Sequence, residues 1–135
     1  ARNRDRSAVI GQRGMVCASQ PLAALIGIDM LKAGGTCVDA ALATNAALGL
    51  MEPGSCGIGG DLFAIVYDAA SNDVYGLNAS GCAPAGLSID FLKSRGVTSM
   101  PQSGIHSVTI PGAVAGPSRA SRRWSSMHSA GRDRS

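Results

Sequence analysis

Aromatic residues are few in this sequence, with two Phe, two Tyr and one Trp among 135 residues. The apolar share is nevertheless 45%. A core built from it must use small side chains and bring backbones close together. A chain of this length suits one domain that buries roughly 68% of its unfolded surface. Long apolar runs are also missing. The longest, Ala40 to Met51, is interrupted by Thr44 and Asn45 and falls short of the ~18 residues that a membrane span needs. No apolar stretch follows the charged N-terminus, so the sequence as written shows no export signal and is expected to be cytoplasmic if complete. The four cysteines, Cys17, Cys37, Cys56 and Cys82, form no CxxC pair. That excludes the common zinc and redox spacings, and buried free thiols with no metal are expected instead.

Charge is sparse and uneven. The net charge is +3, with Arg2, Arg4 and Arg6 at one end and Arg119, Arg122, Arg123, Arg132 and Arg134 at the other. Apart from Trp124 no aromatic residue interleaves with these arginines, which argues against a nucleic-acid surface. Residues 1–13 read as a flexible arm and residues 117–135 as a Ser/Arg-rich, disordered tail, because neither shows a periodic apolar face. Between them, Ser19 offers a cap to a helix with Pro21 in its first turn, and Leu22, Leu25, Ile26, Met30 and Ala33 recur at helical spacing. Gly34 and Gly35 end it. Thr36 caps a second helix with Asp39 three residues on, and Cys37 to Met51 is apolar on nearly every face. Such a helix is expected to be covered on more than one side, as in a layered fold. Leu62 to Tyr67 and Val74 to Leu77 read as a hairpin, Ile89 to Ser94 as a short helix, and His106 to Ile110 as a further strand.

The local motifs have plain structural readings. Gly54, Gly57, Gly59 and Gly60 look like a phosphate loop, but here a helix leads into a strand, and Asp61 stands where a phosphate would want positive charge. A tight turn with close backbone approach is the expectation. Ser55 and Cys56 have no base nearby in sequence, and only His106 and His128 exist to serve as one. Asp39 is explained as a helix cap. Asp61 either accepts backbone amides or faces a pocket.

In one unbroken order the chain carries Pro21-Leu22-Ala23, Leu31-Lys32-Ala33-Gly34-Gly35, Val38-Asp39-Ala40-Ala41, Glu52-Pro53, Gly57-Ile58-Gly59-Gly60-Asp61-Leu62-Phe63, Ala83-Pro84 and Pro111-Gly112-Ala113-Val114-Ala115-Gly116. From Gly14 to Gly116 this resembles the N-terminal part of the large subunit of the gamma-glutamyltransferase family. The resemblance implies an α/β (α+β) chain that forms part of a four-layer αββα sandwich of the N-terminal nucleophile hydrolase type. It implies a precursor that cuts itself in two, and a new N-terminal Thr on the small subunit that attacks a gamma-glutamyl amide, with its own amine as base. No cofactor is implied.

The catalytic Thr and the glycine pair that supports the oxyanion belong to the small subunit of such proteins, so no catalytic residue is expected in this chain. The contribution implied for the large subunit is an arginine shortly before the Ala-Pro pair, whose guanidinium holds the substrate's α-carboxylate. This chain reads Asn78-Ala79-Ser80-Gly81-Cys82 there. Ser80 or Cys82 takes the arginine's place as the candidate substrate-binding residue, without its charge. After Gly116 the pattern gives way to Pro-Ser-Arg-Ala-Ser-Arg-Arg, which is what a shifted frame or a truncated gene would produce. The expected partner is the small subunit or the remainder of the same precursor, with a gamma-glutamyl substrate in the complete protein. The alternative is an inactive remnant or interaction subunit.

Overall fold

A computed structural model describes residues 7–124. In chain order it contains α1 (Pro21–Lys32), α2 (Cys37–Met51), β1 (Leu62–Asp68), β2 (Asp73–Ala79), α3 (Ile89–Ser94), a 3-10 turn (Ile105–Ser107) and α4 (Ala115–Trp124). Residues 7–13 have no helix or strand and are exposed. The rest of the N-terminal arm, and the tail beyond Trp124, lie outside the described residues.

Both boundaries between α1 and α2 are written in side chains and glycines. Gly34 takes φ +89, donates its N–H to Leu31 O at 3.1 Å, and leaves Gly35 N–H to reach Met30 O at 2.9 Å. This pair of bonds closes a helix on a left-handed residue, a conformation that glycine adopts at no steric cost. Two residues later Thr36 opens α2. Its Oγ1 accepts the Asp39 N–H at 3.1 Å, and Asp39 Oδ2 accepts the Thr36 N–H at 2.8 Å. The reciprocal bonds satisfy orphan amides at the helix start, as the Thr36/Asp39 spacing foretold. The start of α1 differs from expectation. Gln20, not Ser19, is the N-cap, and no side chain caps this end. Pro21 at the first helical position removes one of the amides that a cap would have served.

The two helices form an αα-hairpin whose contact point is Gly27. A Cβ there would collide with Thr44 Oγ1 and come within 2.9 Å of Val16 Cγ1. Thr44 is buried and turns its hydroxyl onto Ala40 O at 2.7 Å, so it adds no unpaired polar group to the crossing.

Asp68 and Asn72 build the turn of the β1–β2 hairpin. Asp68 Oδ1 accepts the Ala70 N–H at 3.0 Å, and Asn72 takes φ +61 while accepting the Tyr67 hydroxyl at 2.9 Å. The strands pair antiparallel, with Ala64 opposite Leu77 and Val66 opposite Tyr75. These four share a face and pack with Leu42 around Val38, Ala120 and Trp124. The opposite face presents Phe63, Ile65, Tyr67 and Val74 to solvent, with Ile65 82% exposed.

Three sequence expectations need correction. Helix α4 runs through residues 117–124, where disorder was expected. Its buried stripe is Gly116, Ala120 and Trp124, four residues apart; two of the three are small, so hydropathy registers little. The segment from His106 to Ile110 is no strand: a 3-10 turn occupies its start, entered through Gly104 at φ +97, and Val108 and Ile110 are exposed. The cysteines are free but not buried, since Cys17, Cys37 and Cys82 are exposed and Cys56 is half-buried. Cys17, Cys56 and Cys82 lie in connecting segments and Cys37 at the first position of α2, where the described residues leave them partly or wholly uncovered.

Candidate functional site

Three segments distant in sequence converge on the loop that follows β2. The first is the glycine turn after α2. Glu52 O receives the amides of Ser55 and Cys56, both at 2.9 Å, which turns the chain from α2 toward β1. The turn ends at Gly60, whose carbonyl accepts the amides of Gly112 at 3.1 Å and Ala113 at 2.9 Å. This is the close backbone approach that the glycines allow.

The second segment is the loop Ser80–Cys82. Asp61 Oδ1 accepts the Gly81 N–H at 2.8 Å, and the Thr109 hydroxyl lies 3.5 Å from the same oxygen. Asp61 therefore takes the amide-accepting role. Asn78 Oδ1 accepts the Ser80 N–H at 2.9 Å, and Cys82 O accepts the Ile110 N–H at 2.9 Å. The third segment, Thr109–Gly116, closes over the loop. A Cβ on Gly81 would overlap the Ile110 carbonyl, and one on Gly112 would overlap Ala79 O. One on Gly116 would stand 2.8 Å from Ala79 Cβ. The glycines at 81, 112 and 116 are thus required by contact, and the backbone on both sides of Ser80 and Cys82 is held by hydrogen bonds. The side chains of these two residues stay exposed.

Other candidates from the sequence are not joined to this loop. His106 meets Phe91 edge-on, with ring centroids 5.9 Å apart, while Arg95 lies 5.3 Å from the centre of the same Phe91 ring. No contact of His106 with Ser55 or Cys56 is present among the described residues. His128 lies outside them. Asp39 is engaged by its cap bonds. An open cleft of about 620 Å³ lies between α2, β1, α4 and residues 15–18, and its lining is mostly apolar. It is a gap in the packing between layers, with no ionisable group beyond two thiols and the Tyr67 phenol. Hydropathy alone does not reveal the Asp61–Gly81 link, which spans 20 residues; Gly81, embedded between two candidate residues, was the available clue.

The segments that meet here are those whose ordered motifs suggested a family. The sequence model of the family described as gamma-glutamyltranspeptidase matches residues 23–130. The chain belongs to the gamma-glutamyltranspeptidase family. That match runs past Pro117 into the Ser/Arg-rich tail. The chain is 37% identical over 119 residues to a glutathione hydrolase proenzyme of Bacillus subtilis, covering 85% of this chain and 20% of the relative. It is 35% identical over 123 residues to glutathione hydrolase proenzyme 1 of Schizosaccharomyces pombe, covering 91% and 19%. The solved gamma-glutamyltranspeptidase of Helicobacter pylori superposes with a TM-score of 0.76 at 30% identity, over 87% of this chain and 34% of that one. The cephalosporin acylase of Bacillus halodurans superposes with a TM-score of 0.72 at 38% identity, over 90% and 24%. The chain therefore has the mixed α/β fold of N-terminal nucleophile hydrolases, and spans about a fifth of the curated family members it matches.

Proposed function

We propose that this chain is a large-subunit segment of a gamma-glutamyltransferase-like protein, whose complete form transfers or hydrolyses gamma-glutamyl or related acyl groups. The observation that carries this reading is the convergence of the glycine turn, the Ser80–Cys82 loop and Thr109–Gly116 into one backbone-braced unit. In the complete protein that unit presents Ser80 and Cys82 to the acyl donor. The N-terminal Thr of a small subunit attacks the donor's amide carbon. Its own amine takes the hydroxyl proton and passes it to the leaving amine. Water or an amino acid then receives the acyl group. The partner is the remainder of the precursor, packed on the apolar hairpin face.

The chain alone, incubated with a chromogenic gamma-glutamyl anilide, is expected to release no chromophore, while the complete protein turns it over. Turnover by the isolated chain would overturn the assignment of the nucleophile. Absence of turnover of gamma-glutamyl and simple acyl anilides by the complete protein would favour the reading of an inactive remnant. Ser80→Arg or Cys82→Arg in the complete protein is expected to lower KM for the gamma-glutamyl anilide several-fold, on the order of one charge-assisted hydrogen bond. An unchanged KM in both would remove the loop from the substrate site.

A further inference from the structure

The three segments around the loop carry no full positive charge. Residues 52–61, 78–85 and 104–116 contain no Lys or Arg, and Glu52 and Asp61 are their only carboxylates. Asp61 is exposed, and the ion pair found among the described residues joins Lys32 to Asp29 elsewhere. Its Oδ1 lies 2.8 Å from the Gly81 nitrogen, which places the carboxylate beside the backbone between two exposed side chains, Ser80 and Cys82. An amide N–H supplies a partial positive charge and leaves most of a unit negative charge uncompensated. The missing arginine and the Asp61 carboxylate act in the same direction. One removes attraction for an anion, and the other adds repulsion.

We propose that Asp61 makes the Ser80–Cys82 loop an anionic subsite, which receives an ammonium or neutral group of the acyl donor and turns a carboxylate away. This rests on the reading of the loop as a substrate-contacting segment. Asp61 acts in two ways: its hydrogen bond to Gly81 fixes the loop, and its charge selects what approaches.

Cys82, exposed in this chain, is the reporter of that charge, and its reaction is followed in the complete protein. Two methanethiosulfonates are compared, one bearing a trimethylammonium and one a sulfonate, with each thiol resolved by peptide mass. In both reactions the thiolate attacks the reagent's sulfenyl sulfur, forms a mixed disulfide and expels methanesulfinate, so the reagents differ chiefly in charge. Asp61→Asn keeps an oxygen to accept the Gly81 N–H and removes the charge. The cation-to-anion rate ratio at Cys82 is expected to fall about threefold in this variant at low ionic strength, with the ratio at Cys17 unchanged, and the effect should fade at about 1 M salt. An unchanged ratio at Cys82, or an equal change at Cys17, would overturn the subsite.

Asp61→Ala removes acceptor and charge together, and is expected to speed hydrogen exchange at the Gly81 amide relative to Asp61→Asn. Equal exchange in the two variants would overturn the bracing role. In the complete protein a 4-aminobutanoyl anilide should be used in preference to a glutaryl anilide, and Asp61→Asn should narrow that preference through KM. A glutaryl preference in the wild-type protein would also overturn the proposal. The thiol readout needs no turnover, so failure of the acyl-transfer reading and failure of the subsite register in different measurements.

Discussion

Thr36 and Asp39 hold the first turn of α2 by reciprocal cap bonds, to which the Thr36 hydroxyl adds a third by donating to Asp39 Oδ2 at 2.9 Å. Replacing Thr36 by Ala removes the acceptor for the Asp39 amide, and should cost about 1 kcal/mol of local stability. Hydrogen exchange at the Asp39 amide measures it, and no change there would show that the cap is not limiting. Gly81 is the more constrained residue. Gly81→Ala places a methyl group on the Ile110 carbonyl, so the loop or the Thr109–Gly112 segment must move. A cost of about 1 to 3 kcal/mol is expected, seen as lost protection of the Ile110 amide that now bonds Cys82 O.

At the scale of elements, the α1–α2 crossing and the hairpin make opposite demands. The crossing depends on the absence of a side chain at Gly27, and Gly27→Leu should drive the helices apart and lower thermal stability, since Thr44 Oγ1 and Val16 already touch that space. A variant that melts as the wild type does would mean the crossing is looser than the structure has it. The hairpin instead has too much uncovered. Phe63, Ile65 and Tyr67 stand on the face away from α2, and the sheet consists of two strands whose outer edges pair with no other strand among the described residues. Such an apolar face with open edges is prone to association. Ile65→Lys should reduce light scattering of the isolated chain without lowering its helical circular dichroism, because Ile65 is no part of the packed face. The same change should block assembly of the complete protein if the remainder of the precursor covers this face.

For the whole molecule, burial is thin. Among the described residues the buried apolar ones are Ala23, Val38, Ala40, Ala79, Ala120 and Trp124, four of them alanines. At roughly 25 cal/mol per Å² of buried apolar surface, so few large side chains offset little of the entropy of ordering the chain. The indole Nε1 of Trp124 is buried with no hydrogen-bond partner among the described residues, a further cost at the centre of the same cluster. The isolated chain is therefore expected to unfold with a broad, weakly cooperative transition, or to associate in sedimentation experiments. A sharp two-state melt of a monomer would contradict this.

The sequence by itself determined the family, the extents of α2 and α3 and the Thr36/Asp39 cap that opens α2. Those signals are local: an N-cap and its partner three residues on, or a glycine just past a periodic run. It also placed the hairpin and its polar turn. The tertiary structure alone decided what long-range contacts control. Ala120 and Trp124 became a buried stripe once α4 lay against α2 and β2, although the flanking arginines and serines hide that stripe from hydropathy. Val108 and Ile110 alternate like a strand, but no neighbouring strand among the described residues accepts them; the Ile110 amide bonds Cys82 O instead. The role of Asp61 was open in the sequence between amide acceptor and pocket residue. The fold shows the amide-accepting part by bringing Gly81 within 2.8 Å, through a contact that no local pattern encodes.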